Sequence, residues 1–388
     1  MRRFINLIII GLLLAIPGYS CTRYWVGGGS SVNWNATANT NWGTASNTQN
    51  NASVPGVSYD VCFDGVGVGN SASTLSANIE IKSLDMTGYV NTLTHNTAIN
   101  LTINGTLFTL ASGMTYSPAA ASSALIFTST SGTTLITTNG KTVRNTTFNG
   151  NGGAFQLQDD YNTSTGAITL TAGNFNLNGK IVTASGTFSS TGSGTRSITA
   201  TGASVLNLIS SSSAVDFTNA TNLTMDWSGG GLLRFTSVSN AARSITAGAG
   251  LTFGDITLLS NTNTFTFAGS SLGLRRLVVY MPTATPLAQT IKFTSGNTYT
   301  FSLPPLIFGI NSVALTLSSV TGGSAATLSL NNGAPCISSA SVQDLTVTGG
   351  ANWYAENSTN VSGNTGWTFG TCQAAAAGSG GGSYAFAQ

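Results

Sequence analysis

Charge is what this chain has least of. Only 6% of its 388 residues are Asp, Glu, Lys or Arg, and there are one histidine, eight prolines and four cysteines. Each shortage excludes something. With Glu, Lys and Gln this rare, the residues that build solvated helices are missing, so a helical protein is not expected. There is no basic stripe and no basic amphipathic segment, so neither nucleic acid nor a membrane surface is an expected partner. The only histidine, His95, sits in THNTAINLT without a nucleophile elbow, and reads as a surface or turn residue rather than the base of a triad. The four cysteines lack CxxC spacing and lack histidines to join them, so no metal site is expected. No cofactor is expected either: GVGVGN at Gly65 has no helix behind it, and calcium repeats of the GGxGxDxUx type are absent.

What remains is rich in Gly (47 residues), Ser, Thr and Asn, with 41% hydrophobic content. That is too much apolar surface for a disordered chain. The stretch GAITLTAGNFNLNGKIVTASGTFSSTGSGTRSITATGASVLNL, from Gly166 to Leu208, shows the texture that prevails from Ile79 to Leu330. Apolar residues alternate at period 2, which places them on one face of a strand, and Gly and Asn between the runs supply turn positions. All-β is the fold class. The phrase Arg-Ser-Ile-Thr-Ala occurs at Arg196 and again at Arg243, and Gly166 to Gly186 has the length of one solenoid coil. Asn-Gly at 104, 139, 149 and 178 suits either a hairpin or the corner of a β-helix. A parallel β-helix with capped ends is the favoured architecture, with an array of β-sandwich domains as the alternative. The solenoid accounts for the missing charge, because like residues stack at strand spacing and like charges would repel.

The chain divides into five parts on this reading. Residues 1–20 form a signal peptide: Arg2 and Arg3, an apolar run from Phe4 to Ile16, and small residues before Cys21. Cleavage there would remove two of the 13 basic residues and leave 11 against 11 acidic ones. It would expose Cys21, but Gly18 and Tyr19 make a poor lipobox, so simple secretion is preferred to lipidation, with no membrane insertion afterwards. Residues 21–75 form a Trp-rich head, in which Trp25, Trp34 and Trp42 are read as the core of a cap, with a platform for stacking on sugar rings as the alternative. Residues 76–334 are the stack, with Pro282, Pro286, Pro304 and Pro305 marking loops or changes of direction. Residues 335–372 form a C-terminal cap with Trp353, Tyr354 and Trp367 as its core. Residues 373–388 are a flexible Ala/Gly tail whose Tyr384 and Phe386 are candidates for docking onto another subunit. In an oxidising compartment the four cysteines allow three connectivities, and proximity in sequence favours Cys21–Cys62 and Cys336–Cys372.

Carboxylates deserve separate treatment, because glycosidases work with them. Asp159-Asp160 is the only adjacent pair, and neighbours on a strand point to opposite faces unless they lie in a turn. Asp216, Asp226 and Asp255 are scattered. No residue is singled out as catalytic, and an enzyme is not expected.

The two ends and a middle stretch resemble a known group. RYWVGGG at 23–29, followed by the Trp-rich stretch and VPGVSYDVCFDG, is similar to the opening of secreted β-solenoid proteins from bacteria and phage-derived sequences. VQDLTVTGGANWYAENSTNVSGNTGWTFG at 342–370 resembles their closing motif, and NTTFNGNGGAFQLQDDYNTSTGAITLTAG their repeats. The resemblance implies a right-handed β-helix, adhesin-like or virion-fibre-like, and supplies no catalytic residues. The expected role is a secreted structural or adhesive solenoid at a cell surface, in an extracellular fibre or in a phage appendage. Self-association and surface glycans are the expected partners, and a carbohydrate-binding or polysaccharide-degrading β-helix is the alternative.

Overall fold

The computed structural model describes residues 20–373, apart from 30, 37–39, 120–121, 164, 210–213, 237–240, 260–263, 282–287 and 311–313. Among these the chain forms 38 strands and one short 3-10 turn, Gly67–Asn70. Almost every ladder is parallel, and the strands stack as a β-solenoid of about 12 turns. The array of β-sandwiches is thereby excluded, since sandwiches are built from antiparallel sheets. One sheet of 21 strands runs the length of the molecule. A three-stranded sheet and then a 14-stranded sheet make up the other face.

Register explains why the sequence alternates as it does. Ile103, Phe127, Phe148 and Leu170 occupy one column in successive rungs of the large sheet. Val182, Leu206, Leu233, Ile256 and Leu277 occupy one in the 14-stranded sheet. All are shut off from solvent. A file of phenylalanines follows the interior through Phe108, Phe127, Phe148, Phe175, Phe188, Phe217 and Phe253, with neighbouring rings 4.4–6.1 Å apart. Burying such a ring removes enough apolar surface to contribute roughly 2–3 kcal/mol, so this file adds cohesion between rungs along the middle of the stack.

The rungs close as their small residues allow. Ile168 lies beside Phe188, so Gly166 and Gly186 stack on one another, and a Cβ on Gly186 would come within 2.6 Å of the Gly166 carbonyl oxygen. The Asn-Gly pairs at 139 and 178 are corners, not hairpins. Each joins a strand of the large sheet to one of the 14-stranded sheet, with both residues at positive φ. Their Asn side chains cap the rung before: Asn139 Nδ2 donates to the Leu110 carbonyl (2.6 Å) and Asn178 Nδ2 to the Leu157 carbonyl (2.9 Å). Pro304 and Pro305 interrupt a strand line, since Leu272–Tyr280 pairs with Thr298–Phe301 on one side of them and Leu306–Phe308 on the other. Pro282 and Pro286 lie outside the described residues.

The two ends differ. At the start, Arg23–Trp25 pairs antiparallel with Trp42–Gly43 and parallel with Asp60–Cys62, which continues into Ser83–Asp85. The head is thus continuous with the stack. At the other end, residues 335–372 add further rungs rather than a separate lid. Trp353 stands beside Trp367, and Ser341–Gln343 beside Thr359–Ser362. Among the described residues Thr359–Ser362 pairs with nothing else, and all four of its residues are exposed.

Candidate functional site

The head tryptophans turn inward. Trp25, Trp34 and Trp42 are 1%, 0% and 0% exposed and surround Phe63, with ring centroids 5.1–5.8 Å apart. Trp42 Nε1 donates to the Trp34 carbonyl at 2.7 Å. Stacking on a sugar needs an exposed ring face, and none of the three offers one. They form the core of the cap, and the idea of a sugar platform at these residues is corrected. The Cys21–Cys62 bridge, spanning 41 positions, ties this head to the first rung, and Cys336–Cys372, spanning 36, ties down the last. Tyr384 and Phe386 lie outside the described residues, as does the leader through residue 19. No helix among the described residues is long and apolar enough to cross a membrane.

His95 is not a surface residue. It ends the strand Thr92–His95 and is 1% exposed. Its Nε2 lies 2.8 Å from the Ile99 carbonyl, which can only accept, so Nε2 carries the proton. Nδ1 then accepts from the Tyr116 hydroxyl at 2.7 Å. Burial holds the imidazole below its ordinary pKa, so the neutral ring is a fixed link between two rungs.

The carboxylates are distributed in the same manner. Asp159 and Asp160 lie in a turn and point along the stack in opposite directions. Asp159 accepts from the amides of Thr138 (2.9 Å) and Asn139 in the preceding rung, and Asp160 accepts from Ile181 (2.9 Å) in the next. They do not converge on a common point. Asp216 folds back on Thr218 through its amide (3.1 Å) and hydroxyl. Asp255 is held between two guanidinium groups, with Arg275 Nη1 2.7 Å from Oδ1 and Arg276 Nη2 2.7 Å from Oδ2. Only the Arg276 contact has hydrogen-bond geometry, and the Arg275 contact is a close charge pairing.

Among the described residues, two open grooves of similar size interrupt the side of the rod. The first, about 490 Å³, is lined by Asp226, Trp227, Phe253, Arg275, Ser302 and Leu303 among others, and so crosses several successive rungs. The Ser228 amide donates to Asp226 at 2.9 Å and lowers its pKa. A general acid needs the opposite shift, so Asp226 suits a fixed negative charge. The second groove, about 450 Å³, has Thr115, Tyr116, Lys141, Thr142 and Arg144 in its walls. Glu356 lies close to Cys336 and Cys372, but sulfurs joined in a disulfide are not thiolate ligands.

No protein-family model, curated protein or solved structure matches the chain. The likeness of its two ends to secreted solenoids is therefore supported at the level of architecture alone.

Proposed function

We propose that this protein is a secreted structural or adhesive rod that assembles end to end through its last rung. The observation that carries this reading is the asymmetry of the ends. The first rung is covered by an antiparallel strand and a buried tryptophan cluster, whereas Thr359–Ser362, among the described residues, leaves one edge of a parallel sheet unpaired and exposed. An open edge of this kind is a template for another chain. The stack supplies stiffness. His95, Asp159 and Asp160, the first residues one would examine for chemistry, link rungs instead. Both disulfides suit an oxidising compartment, in keeping with secretion.

Electron microscopy and sedimentation of residues 21–388 test the reading. End-to-end rods or filaments are expected, and placing Lys at Thr359 and Val361 should disperse them, because charge on an edge strand blocks pairing. Deleting 373–388 then distinguishes edge from tail, since filaments formed by the edge alone survive it. Isolated rods at every concentration, or filaments indifferent to the lysines, would overturn the proposal.

A further inference from the structure

The second groove marks the place where the face of the rod opposite the large sheet changes hands. The three-stranded sheet ends with Thr115–Pro118, which pairs only with Thr92–His95 among the described residues. The 14-stranded sheet begins with Thr142–Val143, which pairs only with Tyr161–Thr163. Between the two strands there is no ladder, and the interruption opens as the groove of about 450 Å³.

Two cations stand in its wall. Lys141 Nζ reaches across to the Ser112 carbonyl at 2.8 Å, and Arg144 Nη1 donates to Thr165 Oγ1 at 2.7 Å. Arg144 Nε is cut off from solvent and has no hydrogen-bond partner among the described residues. Neither residue forms an ion pair among the described residues, in contrast to Lys82 with Asp60 and the arginines on Asp255. No carboxylate lines the groove. The nearest in sequence, Asp159 and Asp160, are engaged with the amides of Thr138, Asn139 and Ile181. In a chain with only 13 basic residues, two uncompensated cations in one concavity form a local field that favours an anion. The hydroxyls of Thr115 and Thr142 add neutral hydrogen-bonding groups beside them.

We propose that this sheet break is a binding site for an anionic polysaccharide, one bearing sulfate or carboxylate groups along a hydroxyl-rich chain. Two cations with hydroxyls between strand ends match sparse charge on a sugar polymer. A nucleic acid would call for a longer basic track with exposed aromatic platforms, and an anionic membrane for a cluster of four or more basic residues. The site is independent of end-to-end assembly, so the two readings fail separately.

The test is binding of residues 21–388 to heparin and to polygalacturonate, with dextran and single-stranded DNA as comparisons, over a range of NaCl concentrations. Binding to at least one of the acidic glycans is expected, weakening as salt rises. Lys141→Gln/Arg144→Gln should weaken it about tenfold and flatten the salt dependence by the equivalent of one to two ionic contacts. The charge-matched control Lys82→Gln/Lys292→Gln should leave it within about twofold, and circular dichroism should show that both doubles fold. If the groove double does not fold, Lys141→Gln alone, at a solvent-exposed bond, should still weaken binding about threefold. Failure to bind either acidic glycan, equal binding to dextran or DNA, equal loss in the control, or retention of inorganic sulfate alone would each overturn the proposal.

Discussion

The pentapeptide Arg-Ser-Ile-Thr-Ala occurs twice, and its two arginines should respond very unequally to the same substitution. Both are buried, at 1% exposed for Arg196 and 3% for Arg243. All five N–H groups of Arg196 are satisfied: Nε by the Gly194 carbonyl (3.1 Å), Nη1 by the Ser190 carbonyl and Oγ (3.0 Å), and Nη2 by the carbonyls of Asn219 (2.9 Å) and Thr221 (2.6 Å). It thereby fastens a loop of its own rung to one in the next. Arg243 has no hydrogen-bond partner on any of its three nitrogens among the described residues, and its guanidinium carbon lies 6.0 Å from the Phe235 ring centroid. Burial lowers its pKa to about 10, so it remains charged at neutral pH.

Arg196→Met would strip four backbone carbonyls of their donor. At about 1 kcal/mol for each acceptor left unmatched, the loss is about 4 kcal/mol, with part returned because a charge no longer has to be desolvated. Arg243→Met would remove a desolvated charge with only a weak ring contact in exchange, so its effect should lie within about 1 kcal/mol of zero. Guanidinium chloride unfolding followed by circular dichroism measures both. Hydrogen exchange at 190–194 and 219–222 should show local loosening in the first variant only. Equal costs in the two variants, or less than about 1 kcal/mol for Arg196→Met, would refute the reasoning that carbonyl satisfaction, not burial of an arginine as such, stabilises this turn.

Three further outcomes are expected. Because the folded state holds His95 below its ordinary pKa of 6.5, the unfolded chain takes up a proton first. Stability should therefore be complete above that value and fall as pH drops below it, by up to about 1.4 kcal/mol per pH unit until the folded pKa is reached. Urea midpoints between pH 7.5 and 5 should show this slope and its loss in His95→Gln, and equal slopes would count against it. Opening either disulfide should cost up to about 4 kcal/mol on a chain-entropy basis, given separations of 41 and 36. Cys336→Ser/Cys372→Ser should accelerate hydrogen exchange around Trp353 and Trp367 while leaving the head unchanged. Asp159→Asn should cost about 1–2 kcal/mol, because a neutral amide replaces a carboxylate that accepts two amides. Asp160→Asn, which affects one such bond at an exposed position, should cost less in the same unfolding assay.

How far the structure could be read in advance depends on whether a feature is local. Alternation such as Ile168, Leu170 is local and gave strands directly, and the distance from Gly166 to Gly186 gave the rung, because a coil must return to itself. Cysteine pairing by proximity was also legible, since each pair spans a short stretch of chain. The head tryptophans were legible as a cap core, although nothing within 25–42 shows that Phe63 and the first rung are what cover their faces. His95 left a usable signal. It stands two residues after Leu93 in a period-2 run and so shares its inward face, but its partner Tyr116 belongs to the next rung. The groove at Lys141 and Arg144 left none, since it arises where one sheet stops and another starts.

The scarcity of charge follows from the same geometry that fixes these partners. In a parallel stack a side chain meets its counterpart at the strand spacing of about 4.8 Å, where like charges repel and neutral amides or hydroxyls can bond along the axis. Several charges stand where a neighbouring rung presents something of opposite polarity. Asp159 and Asp160 face amide groups above and below, Asp344 accepts from the Gly323 amide at 2.9 Å, and Arg196 faces carbonyls. Ionised groups placed in this way act as axial links, and their pattern is dictated by neighbours some twenty residues away rather than by the local sequence. A cation that faces neither a carboxylate nor a full set of carbonyls keeps hydrogen-bonding capacity for a partner from outside. Lys141 and Arg144 meet that description at a point where the sheet itself is interrupted.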